Sequence, residues 1–275
     1  MSDFSDKPIG VFDSGVGGLT VAHAIRQLLP NERMIYFGDT AHLPYGEKSP
    51  EAILHYARRI TSFLVEEGCK AVVIACNSAS SVAYEALEKE YGEAVPVLNV
   101  IDPVVEHYVR ELAPARLGVI GTKATIASGA YEKKIRERVP DARVVSLATP
   151  LFVPMIEEGF IFDDISNAII RAYLSREPIR SVEALILGCT HYPIIKNQIS
   201  KFYNFSVEIL DSAAIVARSL RDLLDRRGML RQNPPDREED LFFVSDYTDY
   251  FAKIAGMFFE EKIRLHKLDL WKEEK

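Results

Sequence analysis

The chain is poor in cysteine, has no long apolar run and carries no excess of positive charge. Three cysteines in 275 residues, an odd number, give no basis for a disulfide framework, so Cys69, Cys76 and Cys189 read as free thiols. They are too scattered for a CxxC pair or a Cys/His knot, and nothing in their spacing suggests a metal site. No apolar stretch reaches bilayer length, and residues 1–7 lack the apolar core of a signal peptide. The expectation is a cytoplasmic protein with no membrane role. With 33 Lys and Arg against 40 Asp and Glu, the net charge is −7, which repels phosphate backbones and argues against nucleic-acid partners. GxGxxG and P-loop strings are also missing. The glycine-rich DSGVGG (13–18) is therefore a weak phosphate signal, with an acid standing where phosphate would sit.

What is present is the composition of a globular protein, 48% apolar and 27% charged, in a length that suits two domains. Short β-branched and aliphatic runs alternate with amphipathic stretches, the pattern of buried parallel strands with crossover helices. Strands are expected at 9–12, 34–37, 71–75, 95–100, 116–121, 142–147, 184–188 and 207–210. Helices are expected over 18–29, 50–67, 80–91, 124–138, 163–175, 194–203 and 212–227. The polar, proline-containing 230–240 is expected as an exposed connection, followed by a strand at 241–245 and a helix over 248–264 that turns Phe251, Ile254, Phe258 and Phe259 toward a core.

Three landmarks recur in the same order in the second half: IGVFDSG (9–15) with LGVIGTK (117–123), VVIACNSAS (72–80) with ALILGCTHY (184–192), and VPVLNVID (95–102) with FSVEILDS (205–212). Any α/β protein repeats apolar strands capped by small polar residues. Three ordered pairs at nearly one spacing, with a cysteine in the same place twice, point to duplicated α/β units. If the units face each other, their strand C-termini meet at one cleft, where open α/β sheets bind ligands.

Cys76 and Cys189 each end an apolar strand and precede hydroxyl or amide side chains. Such a turn sets a thiol near the positive end of the following helix, which favours thiolate. Cys69, before its strand and without polar followers, reads as core filling. Inverting a stereocentre by proton transfer needs a base on one face of the carbon and an acid on the other, and two identical thiols let the roles reverse. His191, two residues after Cys189, either supports that thiol or is structural. Asp13, with Ser14 beside it, fits a group that polarises a thiol or accepts from a substrate ammonium. Pro44, Tyr45 and Gly46 mark a turn near the same rim, with Tyr45 and Gly46 as ligand contacts. Glu157 and Glu158 precede Gly159, and either is equally a solvated surface acid. At this point a thiol redox pair and a binding protein that keeps the fold without catalysis stand beside the two-base reading.

With Asp13-Ser14, Cys76-Asn77-Ser78 and Cys189-Thr190-His191-Tyr192-Pro193 in order, the sequence resembles the glutamate racemases of the aspartate/glutamate racemase superfamily, over essentially its whole length. The resemblance implies two pseudo-symmetric, flavodoxin-like α/β domains with mainly parallel sheets, 1–98 plus 209–275 and 99–208, and an active site in the cleft between them. It implies interconversion of L- and D-glutamate without pyridoxal phosphate, metal or any other cofactor, supplying D-glutamate for peptidoglycan and so for cell-wall biogenesis and cell shape, by a homodimer. Cys76 would deprotonate D-glutamate with help from Asp13. Cys189 would deprotonate L-glutamate with help from His191 and one acid of the EEG string, family spacing favouring Glu157. Substrate contacts carried over are Asp13, Ser14, Tyr45, Gly46, Asn77, Ser78, Thr122, Thr190 and His191. A sister racemase acting on aspartate or a hydantoin would keep both cysteines. One group in the family is activated by a cell-wall precursor through an extended N-terminus. Here the DSG string begins at Asp13, and that regulation is not expected.

Overall fold

The computed structural model describes residues 4–113, 115–234 and 240–272. Its strands form two sheets. β1 (Ile9–Asp13), β2 (Met34–Gly38), β3 (Ala71–Ile74), β4 (Val97–Asn99), β9 (Leu241–Val244) and β10 (Leu265–Lys267) build the first, ordered β10-β9-β2-β1-β3-β4. β5 (Leu117–Gly121), β6 (Val144–Ala148), β7 (Ala184–Gly188) and β8 (Glu208–Leu210) build the second, ordered β6-β5-β7-β8. Every strand pair is parallel. The first four strands of each sheet follow one order, second-first-third-fourth, so the sequence repeat is a repeat of topology and the fold is the doubly wound α/β class expected.

The helices are α1 (Leu19–Leu28), α2 (Pro50–Glu66), α3 (Asn77–Tyr91), α4 (Ile101–Glu111), α5 (Lys123–Ala127), α6 (Ala130–Arg138), α7 (Phe152–Glu157), α8 (Asp164–Leu174), α9 (Lys196–Phe202), α10 (Ser212–Arg226) and α11 (Asp249–Phe259). Parallel strands demand such crossovers, and both faces of the first sheet are covered. Along β1, Ile9 and Val11 face one core with Tyr36 and Val73, while Phe12 faces another with Ile35, Phe37 and Ile74. The first of these cores is continuous with the second sheet through Ile120, Leu185 and Leu187, with α1 packed on α10 across the join. The two sheets therefore share one apolar interior.

The expected helix over 124–138 is two helices, because Gly129 between α5 and α6 takes a left-handed φ of 64° that no regular helix contains. The expected helix over 248–264 stops at Phe259, where Glu260 adopts φ 60°, and the chain then adds β10 to the sheet edge. Helices α4 and α7 are additions to the sequence expectation. Of the expected exposed connection at 230–240, residues 235–239 lie outside the described residues. No helix among the described residues is long and apolar enough to cross a membrane.

The first half is anchored beneath the sheet by an ion pair. Lys70, at the start of β3 and fully buried, meets Glu32 at 2.5 Å and donates to the carbonyls of Ser5 and Met229 at 2.5 and 2.8 Å. Glu32 in turn accepts from the Arg231 amide at 2.9 Å. Three distant chain segments meet at this one ammonium. Removing one partner of a buried pair leaves an uncompensated charge, so Lys70→Met is expected to lower unfolding free energy by about 3–5 kcal/mol. Urea denaturation followed by circular dichroism measures it, and a loss under about 1 kcal/mol would show that the pair is dispensable.

Candidate active site

Strand C-termini of both sheets point into one cleft. The cavity there is lined by Ser14, Tyr45, Gly46, Cys76, Asn77, Ser78, Thr122, Glu157, Cys189, Thr190 and His191, together with Gly15, Leu43, Pro44 and Val153. The structure thus brings together every residue expected from the sequence except Asp13, which sits directly behind the wall and is fully buried. All three cysteines are free. Cys69 packs in the core near Gly10, away from the cleft, and its burial pushes the thiol up to about 12.

Cys76 leaves β3 in extended conformation and caps α3, accepting from the Ala79 amide at 3.5 Å and donating to Ser14 Oγ at 3.6 Å. Burial, and then the nearby negative charge of Asp13, push this thiol up to about 12 despite the helix cap. Asp13 ends β1. Its carboxylate accepts from the Gly15 amide at 2.9 Å and, across the cleft, from Thr190 Oγ at 3.5 Å. Its own pKa is raised by burial, against the opposing pull of His191 and the loop amides.

The second thiol is housed differently. After β7 the chain enters a 3₁₀ turn at Tyr192–Ile195, and α9 begins only at Lys196, so Cys189 caps no helix. Its neighbour is His191, with Nδ1 3.9 Å from the sulfur. The other ring nitrogen, Nε2, lies 2.9 Å from Glu157 Oε1, whereas Glu158 is exposed at the end of α7. Burial pushes the imidazole down, but its bonds to the Cys189 sulfur and the Glu157 carboxylate win and raise it to about 10. An imidazole thus attends one thiol and a carboxyl group the other.

Polar contacts stitch the two sides. Ser78 and Thr122 hydroxyls meet at 2.9 Å, Thr20 donates to the Thr190 carbonyl at 3.2 Å, and Tyr131 of α6 donates to Asn77 Oδ1 at 2.7 Å. That last bond fixes the Asn77 amide and leaves its buried Nδ2 without a protein partner, a donor available to a ligand. Gly17 faces the His191 ring so closely that a Cβ there would lie 2.4 Å from it. The ring also meets Phe258 edge to face at 5.0 Å, and the Tyr250 hydroxyl donates to the Glu157 carbonyl. Tyr131 and Tyr250 carry no motif of their own, whereas Gly17 lies within the DSGVGG string and Phe258 on the expected apolar face of the last helix. Among the described residues, no three His, Cys, Asp or Glu side chains converge on a metal position.

A family model described as Asp/Glu/Hydantoin racemase matches residues 16–220. A glutamate racemase of Geobacter metallireducens is 43% identical over 257 residues, 94% of each chain. Among solved structures, the glutamate racemase of Francisella tularensis in complex with D-glutamate superposes with a TM-score of 0.90 at 39% identity, covering 97% of this chain and 99% of that one. The glutamate racemase of Thermus thermophilus in complex with beta-chloro-D-alanine superposes with a TM-score of 0.87 at 38% identity, covering 97% and 98%.

The raised imidazole has a checkable sign. The folded state holds the His191 proton more tightly than the unfolded chain does, so protonation favours folding. Its contribution is fully present below pH 6.5 and is lost as pH rises toward about 10. NMR of the labelled imidazole should show His191 protonated at neutral pH, and Glu157→Gln should move the midpoint down by about one unit or more. A native midpoint near 6.5 would mean that neither partner holds the proton.

Proposed function

Because the chain belongs to the Asp/Glu/hydantoin racemase family, we propose that this amino-acid racemase interconverts L- and D-glutamate by proton transfer between Cys76 and Cys189, without a cofactor. The observation that carries the reading is that two thiols, each at the C-terminal end of the third strand of a matching sheet, line one cavity with unlike groups behind them. Relatives in the comparison, named as glutamate racemases, support the choice of substrate.

In the L-to-D direction Cys189 must act as the thiolate, its own proton held on the neighbouring His191 imidazole, and takes the α-proton. The Cys76 thiol then donates its own proton to the opposite face of the carbanion. The resting state suits this direction, since burial and Asp13 keep Cys76 protonated. An L-to-D turnover leaves Cys76 as the thiolate and Cys189 as the thiol, the state from which the D-to-L direction starts, and a substrate ammonium beside Asp13 offsets the negative charge that disfavours the Cys76 thiolate. Asp13 thus serves the first thiol, and His191 with Glu157 the second. Ser14, Tyr45, Gly46, Asn77, Ser78, Thr122 and Thr190 supply the polar wall that holds the carboxylates and the ammonium. General acid–base transfer contributes about 10²–10⁴-fold, and each thiol lost should cost at least the lower figure.

The same reading includes supply of D-glutamate for peptidoglycan, a cytoplasmic homodimer, and domains at 1–98 plus 209–275 and 99–208. Growth of a D-glutamate-requiring bacterium carrying this gene, sedimentation of the purified protein and limited proteolysis address these in turn. Proton transfer is tested most directly by solvent-deuterium incorporation at the glutamate α-carbon. Cys76→Ser should retain incorporation into L-glutamate alone and Cys189→Ser into D-glutamate alone, with racemisation lower by about a hundredfold or more in both. Racemisation unchanged in either variant would sink the two-thiol scheme.

A further inference from the structure

A buried carboxylate outside the proton-transfer scheme holds the turn that carries two of the substrate contacts. Asp39 follows β2, is fully buried and does not line the cavity. It accepts from the Tyr45 hydroxyl at 2.7 Å, from Ser245 Oγ at 2.7 Å, and from His42 Nδ1 at 2.9 and 3.0 Å to its two oxygens. A carboxylate only accepts, so each of these is a donor committed to it. Ser245 comes from the end of β9, and its oxygen accepts from the Ala41 amide at 2.8 Å. The His42 ring is stacked on Tyr56 at 4.2 Å and meets Trp271 at 4.6 Å. Both ends of the 39–46 loop are therefore fastened to one acid, and through it to the last strands of the chain.

Tyr45 is 1% exposed and borders the cavity, yet its hydroxyl is spent on Asp39. What it offers the ligand is ring and backbone in a fixed place. The adjoining Gly46 has no slack either, since a Cβ there would come within 2.7 Å of Thr122 across the cleft. Without Asp39 the phenol would be a buried donor with no acceptor. The turn would have to shift to give it water, and the wall at Tyr45 and Gly46 would shift with it.

We propose that Asp39 is a positioning residue for substrate binding, acting through Tyr45 and His42 to hold residues 43–46 in the wall of the cleft. It touches neither thiol, so it governs affinity and leaves proton transfer to the cysteines. The kinetic arm rests on glutamate as substrate, and a second arm does not. Asp39→Ala is expected to raise KM for both enantiomers about tenfold with kcat within about threefold. Tyr45→Phe should move KM the same way, and the double variant should fall short of the product of the two effects, because both substitutions remove the same hydrogen bond. Asp39→Asn, which keeps one acceptor oxygen and the shape, should lie between and serves if the alanine variant fails to fold.

In ligand-free protein, hydrogen exchange read by mass spectrometry should quicken over residues 43–48 in Asp39→Ala while the strands and α3 keep wild-type protection. An unchanged KM in a folded variant, a loss confined to kcat, or faster exchange spread over the whole chain would each overturn the proposal. If wild type does not turn over glutamate, the functional reading falls. The exchange pattern still decides whether Asp39 fastens this turn.

Discussion

Parallel strands leave only their C-terminal ends free for chemistry, since the crossover helices occupy both faces of the sheet. A site that needs two opposed groups must therefore take them from two sheets turned end to end. Everything in this molecule follows from that arrangement. The matching order β2-β1-β3-β4 and β6-β5-β7-β8 sends β3 and β7 to equivalent places, and a cysteine follows each, Cys189 directly after β7 and Cys76 after β3 and Ala75. That both thiols line one cavity thus follows from the topology.

Equivalence of position does not make the environments equal. Cys76 caps a fifteen-residue helix and has Asp13 behind it, whereas Cys189 enters a 3₁₀ turn and has an imidazole braced by Glu157. The helix amide and Ser14 favour charge on the first sulfur, but burial and the acid outweigh them. Around His191 the outcome is reversed, because two partners overcome the burial penalty. Burial strengthens each of these charge effects, which is why a few side chains suffice to distinguish two chemically identical groups.

The sequence is legible where a local rule operates. Apolar runs ending in small polar residues located all eight strands of the repeat, and the two cysteine strings with Asp13, His191 and the EEG acids named the chemical groups of the cleft. It is opaque where the deciding contact is distant. Nothing near Gly129 announces that the helix breaks there, beyond a glycine that many helices tolerate. The choice between Glu157 and Glu158 depends on which reaches His191 from α7, a matter of helix phase at a short C-terminus. Tyr131, Phe258 and Asp39 act through partners 54 and 67 residues away or through a strand from the far end of the chain, and single-chain periodicity has no access to such pairs.

Many of the contacts that define the cleft cross from one sheet's side to the other: Thr190 to Asp13, Thr122 to Ser78, Tyr131 to Asn77, and His191 into the space left by Gly17. Each thiol has its charged or hydrogen-bonding partners on its own side, and the two sides together close the cavity that both thiols line. Parting the sides would wet Asp13 and His191 together, and with water present their influence on the two sulfurs would fade. The segment after α10 opposes this, since β9 fastens Asp39 through Ser245 while α11 carries Phe258 against His191 and Tyr250 onto the Glu157 carbonyl. This closing segment, built onto the first sheet, reaches both walls of the site. The pairing of the two halves and the surroundings of the two thiols are consequently one structural problem, solved by the same few side chains.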